Sequence, residues 1–241
     1  MKKHNKKTLL RFIAVGLLVG AGLFASCAKP NNPIAPAPPS HLITKSDTLP
    51  HGKSWEAWAG SWWNWFYSMP SYRNPLYDSA AISAGQTGDV WFLGGTFAVP
   101  DSAGSTVTRT GTVPLGTALL IPILNFKLDT VGGSHRVDSL MIDAGLAWSS
   151  CTRSESIIVD LKLISDTVLH FVPGTSLFSL SYPDSNFSGI PKTVATAVSC
   201  GDYLMIDGLG AGKHTIRWFT QTYGGTAADV YTNVVYNLTV K

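Results

Sequence analysis

The sequence predicts a mainly β fold, an antiparallel β-sandwich with two helices packed against it. Short runs of β-branched and aromatic residues recur along most of the chain and end at Gly, Pro or Asn, which is typical of strands joined by turns. Only two segments, near 54–69 and 137–151, repeat their apolar residues at helical spacing. Many strands and few helices favour two packed sheets of the jelly-roll or immunoglobulin-like type.

Residues 1–26 have the composition of a signal peptide. Five Lys and Arg residues precede an apolar run at 12–25, and this run is shorter than the roughly 20 residues that a membrane-spanning helix needs. The segment from Phe24 to Cys27 resembles the lipobox of bacterial lipoproteins, although Leu is usual where Phe24 stands. We expect a lipidated Cys27 and an exported protein of the bacterial cell envelope, an outer-membrane lipoprotein. Ordinary signal cleavage and an uncleaved anchor are the alternatives.

The rest of the chain divides into a tether and a domain. Residues 27–43 are rich in Pro, Asn and Ala, a composition that keeps a segment extended without a core. Residues 44–241 are numerous enough for one sizeable core, and an immunoglobulin-like C-terminal half is expected from about residue 155. The full chain has a net charge of +3, but its signal peptide carries five basic and no acidic residues, which leaves −2 on the remainder. This mildly acidic remainder excludes nucleic acid as a partner.

The cysteine count agrees with export. With Cys27 assigned to lipid, Cys151 and Cys200 remain as a pair, and an oxidising compartment favours a disulfide between them. Two buried thiols are the alternative. A metal site is not expected, because no CxxC pair or close Cys/His spacing accompanies these residues. No cofactor is predicted.

The first helix is expected at 54–69, with Ser54 as its N-cap and Pro70 as its stop. At about 100° per residue, most of its large side chains gather on one face, which predicts a core face. These side chains are Trp55, Trp58, Ala59, Trp62, Trp65, Phe66 and Met69.

Three further side chains of this helix fall on its other side. Trp63 and Tyr67 are four residues apart and share that side with Glu56. An aromatic pair beside a carboxylate is suited to stacking on a sugar ring or meeting a partner protein, which makes these residues candidates for ligand binding. The alternative is a shoulder of the core.

The strands follow in order, separated by the second helix at 137–151. They are expected at 89–93, 105–110, 118–124, 156–163, 176–180, 203–206, 214–218 and 234–240. The second helix is indicated by Val137, Leu140, Met141, Ala144, Trp148 and Cys151 at helical spacing.

Several of these pieces together resemble a family of uncharacterised exported bacterial proteins. The resemblance is carried by the Trp-rich helix, by GQTGDVWFLGG at 85–95, and by VPLGT at 113–117 followed by IPILN at 121–125. The family pattern is GQxGxVWFLAG followed by VPAGxxxxxPxxN. Some members carry cysteines near the positions of Ala81 and Gly111, which this chain lacks. The resemblance implies fold and export and supplies no activity.

Catalytic signatures are scarce. The chain has no HExxH, GxSxG or EF-hand pattern. Residues 208–213 superficially resemble a phosphate loop, but a hairpin turn is the better interpretation. The candidates for acid/base chemistry or metal binding are His135, His170, His214, Asp89, Asp143 and Glu56, each of which also has an ordinary structural explanation.

Two polar residues flank apolar strands. Gln86 precedes one and Asn125 ends another, so both are expected to satisfy buried backbone groups and fix loops. Contact with a ligand is the alternative for each.

The favoured function is a lipid-anchored envelope protein of binding type, with carbohydrate or a partner protein as ligand and the membrane reached through the anchor. An exported hydrolase acting on polysaccharide or envelope material is the second hypothesis, and a structural envelope component is the third. An enzymatic role is therefore uncertain and less favoured.

Overall fold

The computed structural model describes residues 41–43, 47–77, 80–96, 106–133, 135–150, 152–186, 188–223 and 231–241. These residues all belong to the compact unit Ala35–Lys241. The signal peptide, Cys27, the tether up to residue 40 and Cys151 lie outside the described residues. Among the described residues, no helix has the length and apolar character needed to cross a membrane.

The protein is mainly β with two helices, as predicted. The strands are β1 His41–Ile43, β2 Val90–Phe92, β3 Val107–Val113, β4 Ala118–Asp129, β5 Thr152–Val159, β6 Lys162–Ile164, β7 His170–Tyr182, β8 Thr193–Asp207, β9 Gly212–Tyr223 and β10 Tyr231–Val240. The helices are α1 Trp55–Tyr67 and α2 Leu140–Ser149.

The strands form two five-stranded sheets. In the first sheet the order is β1-β8-β4-β2, and β7 also pairs with β8; in the second sheet it is β3-β10-β9-β5-β6. The expectation of wholly antiparallel sheets needs correction, because β2 pairs with β4 and β3 pairs with β10 in parallel. These partners come from distant parts of the chain, so local sequence patterns carry no information on their direction.

Some strand boundaries also differ from those expected. The run at 156–163 is a hairpin rather than one strand, because Asp160 and Leu161 turn the chain with positive φ values of 48° and 66°. The turn at 208–211 is not a hairpin, because it carries the chain from β8 in the first sheet to β9 in the second. The long strand β8 was largely missed, since its first half mixes small and polar residues.

The core has two main layers. Between the sheets lies a cluster of aliphatic side chains closed by Trp218 and Tyr236. On the outer face of the first sheet lies the aromatic cluster of α1, which packs against residues of β4, β7 and β8. The tryptophan-rich face predicted to be core is therefore confirmed as core.

The tryptophans of α1 fill the core, and each of their indole N–H groups also donates a hydrogen bond. Four of the five indole N–H groups donate to backbone carbonyls, and the fifth donates to a serine hydroxyl. The acceptors are Asp47 O, Pro50 O, Leu93 O and Ala84 O for Trp55, Trp58, Trp62 and Trp65, and Ser199 Oγ for Trp63. Ser54 caps the helix as predicted, accepting from the Ala57 N–H at 3.2 Å. The tryptophans thus join the helix to the segments before and after it and to β8.

The second helix is shorter than expected and is apolar on two sides. Leu140, Ala144 and Trp148 are buried against β4 and β8, whereas Ile142 and Leu146 are 66% and 63% exposed.

Candidate functional site

The predicted pair of aromatic residues on the second side of α1 is not a solvent-facing platform. Trp63 and Tyr67 are only 5% and 7% exposed, and the Tyr67 ring packs edge-on against Tyr182 at 4.8 Å. Strands β7 and β8 cover that side of the helix, which is the core position that the sequence leaves open as the alternative. Glu56 lies in the first turn of α1 and is partly exposed.

Two predicted site residues, Trp63 and Asn125, do converge, but in the interior. Trp63 Nε1 donates to Ser199 Oγ at 2.9 Å, and Ser199 Oγ lies 2.9 Å from Tyr203 Oη. Asn125 Nδ2 donates to the same Tyr203 oxygen at 3.2 Å. Burial raises the pKa of Tyr203 to about 12, so this phenol stays neutral. The network satisfies buried polar groups, which is the structural role expected for Asn125.

An ion pair between a partly buried lysine and a buried aspartate lies beside this network. Lys127 pairs with Asp129, and Tyr182 Oη donates to Asp129 Oδ2 at 2.7 Å. The Lys127 ammonium also lies 5.1 Å from the centre of the Tyr67 ring. Burial alone would raise the pKa of Asp129, but hydrogen bonds from Lys127, Tyr182 and the Val131 N–H outweigh it and hold the pKa below its usual value.

Gln86 has the loop-fixing role expected of it. Its Nε2 donates to the carbonyls of Ile82 and Phe92, and its Oε1 accepts from the Phe92 N–H at 2.9 Å. One side chain thus joins the 82–86 turn to β2. This turn forms one wall of a groove.

The groove runs along the accessible side of α1 and has a volume of about 730 Å³. Aromatic rings from three parts of the chain line it, namely Trp58 and Trp65 of α1, Phe92 of β2 and Phe178 of β7. The two phenylalanines are partly exposed. The volume falls within the range of about 300–1,000 Å³ that is typical of small-molecule sites.

Charged groups stand at one end of this groove. The Lys53 ammonium lies 4.4 Å from the centre of the Trp58 ring. The two ring nitrogens of His51 face Asp89 Oδ2 at 3.7 Å and Asp207 Oδ2 at 3.6 Å. The groove therefore combines an apolar floor with cationic and anionic groups.

Asn64 fixes the opposite wall. Its Oδ1 accepts from the Ser181 N–H at 3.0 Å, and its Nδ2 donates to the Ser179 carbonyl at 3.0 Å. One amide side chain thereby pairs with the β7 backbone as a neighbouring strand would. The groove is thus held between α1 and β7 by hydrogen bonds on its own lining.

A second cavity, of about 680 Å³, is lined by acidic and basic side chains. Glu155 and Asp202 line it together with Arg153 and Asp166. Burial first, and then the charge of Asp202, raise the pKa of Glu155 to about 7. The buried Glu155 Oε1 has no hydrogen-bond partner among the described residues. Glu155 therefore exchanges its proton close to neutral pH.

The predicted histidine candidates have structural surroundings. His214 is buried, with Nδ1 2.7 Å from Asp160 Oδ2 and Nε2 2.8 Å from the Gly210 carbonyl oxygen. His135 Nδ1 lies 3.2 Å from Asp143 Oδ2, and hydrogen bonds from Ser139 and His135 lower the pKa of Asp143. His170 stacks on Trp55 with centroids 4.5 Å apart. The described part of the chain holds no group of three or more His, Cys, Asp or Glu placed to bind a metal.

The proposed disulfide stays a prediction. Cys200 is buried on β8 beneath α2, and its expected partner Cys151 is outside the described residues.

Local sequence patterns do not indicate most of the groove or any of the Glu155 cavity. The groove is assembled from residues 51–53, α1, the 85–90 loop and Phe178, which are far apart in the chain. Glu155 and Asp202 come from β5 and β8, in different sheets. Only the crowding of aromatic residues in α1 and β2 pointed towards the groove.

Comparisons with known proteins add little. No family model and no curated protein match the chain. Among solved structures, PbICP-C in complex with falcipain-2 is 13% identical, with 64% of this chain and all of that one covered and a TM-score of 0.25. Amebosin is 15% identical, with 63% and 99% covered and a TM-score of 0.19. The cysteine protease inhibitor EhICP2 from Entamoeba histolytica is 8% identical, with 56% and 94% covered and a TM-score of 0.20. At these TM-scores the similarities support no argument about fold or function.

Proposed function

We propose that this protein is an exported, lipid-anchored envelope protein that binds carbohydrate in the groove beside α1. The observation that carries the proposal is the groove itself, with aromatic rings on its floor and polar side chains at its edges. The basic start, the apolar run and Cys27 support the anchor.

Carbohydrate fits the chemistry of this groove better than a purely apolar ligand does. A sugar ring has an apolar face of C–H groups and an edge of hydroxyl groups. Phe92 and Phe178 offer partly exposed ring surface for the first, while Lys53, Ser61 and Asp89 offer donors and acceptors for the second.

Filling the groove tests this proposal without removing a core side chain. Ala57 is exposed on α1 and lines the groove, so Ala57→Arg places a long side chain in the ligand's path while keeping a good helix former. We expect the Kd for the tightest oligosaccharide of a glycan panel to rise at least about tenfold, equivalent to about 1.4 kcal/mol. Tryptophan fluorescence titration measures this change, because Trp58 and Trp65 line the groove.

A matched control separates groove blocking from added charge. Ser149→Arg adds the same charge at an exposed position of α2, and it is expected to leave the Kd unchanged. Equal affinity of Ala57→Arg and the native protein for the same glycan would rule out the groove as the binding site. An absence of binding to every glycan would contradict the carbohydrate proposal itself.

The Glu155 cavity favours a second candidate, a hydrolase acting on polysaccharide or envelope material. A carboxyl with a pKa of about 7 is suited to donate a proton to a leaving group. Asp202 is a second carboxylate in the same cavity. Most glycoside hydrolases use a pair of Asp or Glu residues as their catalytic residues. Loss of reducing-sugar release on Glu155→Gln would support this candidate, and unchanged release would contradict it.

A further inference from the structure

One end of the sandwich gathers the start of the domain and several turns. Strand β8 ends at Asp207, which pairs with His41 of β1, and Ile206 pairs with Leu119 near the start of β4. In the other sheet, β3 and β10 end side by side with Val113 opposite Val240, and Gly212 at the start of β9 also pairs with Val240. We call this surface the tether end, because the chain before His41 joins the domain there.

Turn tips at the tether end carry exposed leucines. Leu161 is 89% exposed at the tip of the β5–β6 hairpin, and Leu115 is 60% exposed in the turn between β3 and β4. Leu49, 64% exposed, precedes the His51 that contacts Asp89 and Asp207. Turn tips are usually occupied by Gly, Asn, Asp or Ser, so exposed leucines at these tips are unusual.

Leu161 is held there against its backbone preference. Its φ of 66° lies in the left-handed region, where a residue with a branched apolar side chain is disfavoured. The preceding Asp160 fixes the turn from its side chain, since Oδ1 accepts from the Thr215 N–H at 2.8 Å and Oδ2 contacts His214. The two-residue β5–β6 loop requires a positive φ at both of its central residues, and Gly or Asn is the usual residue where Leu161 stands.

Exposed cations surround the leucines. Lys162 follows Leu161 in the same hairpin, Lys213 is the second residue of β9, and Lys241 follows β10. Acidic groups among the described residues at this end include Asp160, Asp89 and Asp207. Asp160 is buried against His214, whereas Asp207 and Asp89 are 38% and 79% exposed beside His51. The three exposed lysines still outnumber these two exposed acids, and exposed leucines with an excess of lysines complement an anionic membrane surface.

The described domain begins at this same end, where His41 pairs with Asp207. Thirteen residues separate Cys27 from His41, a length that spans about 40 Å at the roughly 3.1 Å per residue of an extended Pro-rich linker. A chain lipidated at Cys27 therefore keeps the tether end within reach of the bilayer.

We propose that the tether end lies on an anionic bilayer surface, with Leu115 and Leu161 entering the boundary between headgroups and acyl chains. This inference rests on the lipid anchor of the proposed function and is independent of what the groove binds. The lysines contact the headgroups, and the α1 groove stays accessible.

Amide hydrogen exchange on the full chain tests this contact. The processed protein is reconstituted into vesicles of phosphatidylglycerol and phosphatidylcholine and compared with the same protein in detergent. We expect peptides covering 114–117 and 159–163 to exchange at least about fivefold more slowly on the anionic vesicles. Vesicles of phosphatidylcholine alone are expected to give weaker protection, because the lysine contribution is lost.

Leu161→Asn separates membrane contact from folding. Asparagine tolerates a positive φ, so this variant is expected to keep or raise the Tm while losing the protection at 159–163. The matched control is Val194→Thr, which changes an exposed apolar residue at the start of β8, the opposite end of that strand. The control is expected to keep the protection.

The possible results distinguish failure of the lipid anchor from failure of the proposed contact between the tether end and the bilayer. Protein that does not sediment with any vesicle would overturn both the anchor and this proposal. Protein that sediments but shows unchanged exchange at both turns would overturn this proposal alone. Protection at 141–146 of α2 in place of the two turns would likewise overturn it.

Discussion

Replacing Lys127 with methionine is expected to lower the free energy of unfolding by about 3 to 5 kcal/mol at pH 7. The change keeps the unbranched apolar stem and removes the ammonium group, which leaves the Asp129 carboxylate, 8% exposed, without its cation. Hydrogen bonds from Tyr182 and the Val131 N–H remain, but they do not neutralise a buried charge. Urea denaturation followed by tryptophan fluorescence measures the loss.

A double variant shows whether the charge is the cause. Lys127→Met combined with Asp129→Asn leaves two neutral side chains and is expected to recover stability to within about 1 kcal/mol of the native protein. A loss below about 0.5 kcal/mol in the single variant would mean that the pair is not buried in solution.

The same ion pair predicts acid sensitivity. The pKa of Asp129 is lower in the folded protein than its ordinary value of 3.8. The stabilisation from this carboxylate is therefore fully present above that ordinary value and is lost as the pH falls through the lowered pKa.

Replacing Glu155 with glutamine is expected to raise the free energy of unfolding at pH 8 by about 2 to 3 kcal/mol. The folded protein holds the pKa of Glu155 at about 7, above its ordinary value of 4.5. The folded state thus binds more protons than the unfolded state between these values. Stability from this group is present below pH 4.5 and is lost as the pH rises through 7. Glutamine stays neutral and avoids that loss.

Comparing two pH values and two variants isolates this effect. Glu155→Gln is expected to leave stability at pH 4 nearly unchanged. Asp166→Asn, at an exposed acid of the same cavity, is expected to have little effect at either pH. An equal gain from Glu155→Gln at both pH values would show that the cause is packing rather than ionisation.

The sequence predicts the helices and strands better than it predicts which of them pack together. The α1 prediction succeeded because its cap, its stop and its aromatic spacing are all local signals. The sequence left open whether Trp63 and Tyr67 bind a ligand or belong to the core, because the strands that cover them, β7 and β8, lie more than 100 residues later in the chain. Helical spacing distinguishes the two faces of α1 but does not indicate that other elements cover both of them.

Among the polar residues, too, roles that depend on nearby residues could be predicted and roles that depend on distant residues could not. Gln86 bonds to residues four and six positions away, so its role as a loop fastener could be predicted. Glu155 and Asp202 lie in the same cavity because strands of two different sheets bring them together. No spacing in the sequence indicates that they are close. The groove likewise depends on Phe178 of β7, which lies beside α1 in the fold although it is far from α1 in the sequence.

The central claim, that the groove beside α1 binds carbohydrate, is tested most directly by a crystal structure of the protein soaked with the tightest glycan of the panel. We expect a sugar ring against Phe92 and Phe178, with its hydroxyl groups reaching Lys53 or Asp89. A sugar bound in the Glu155 cavity instead, with an empty groove, would contradict the claim and favour the hydrolase.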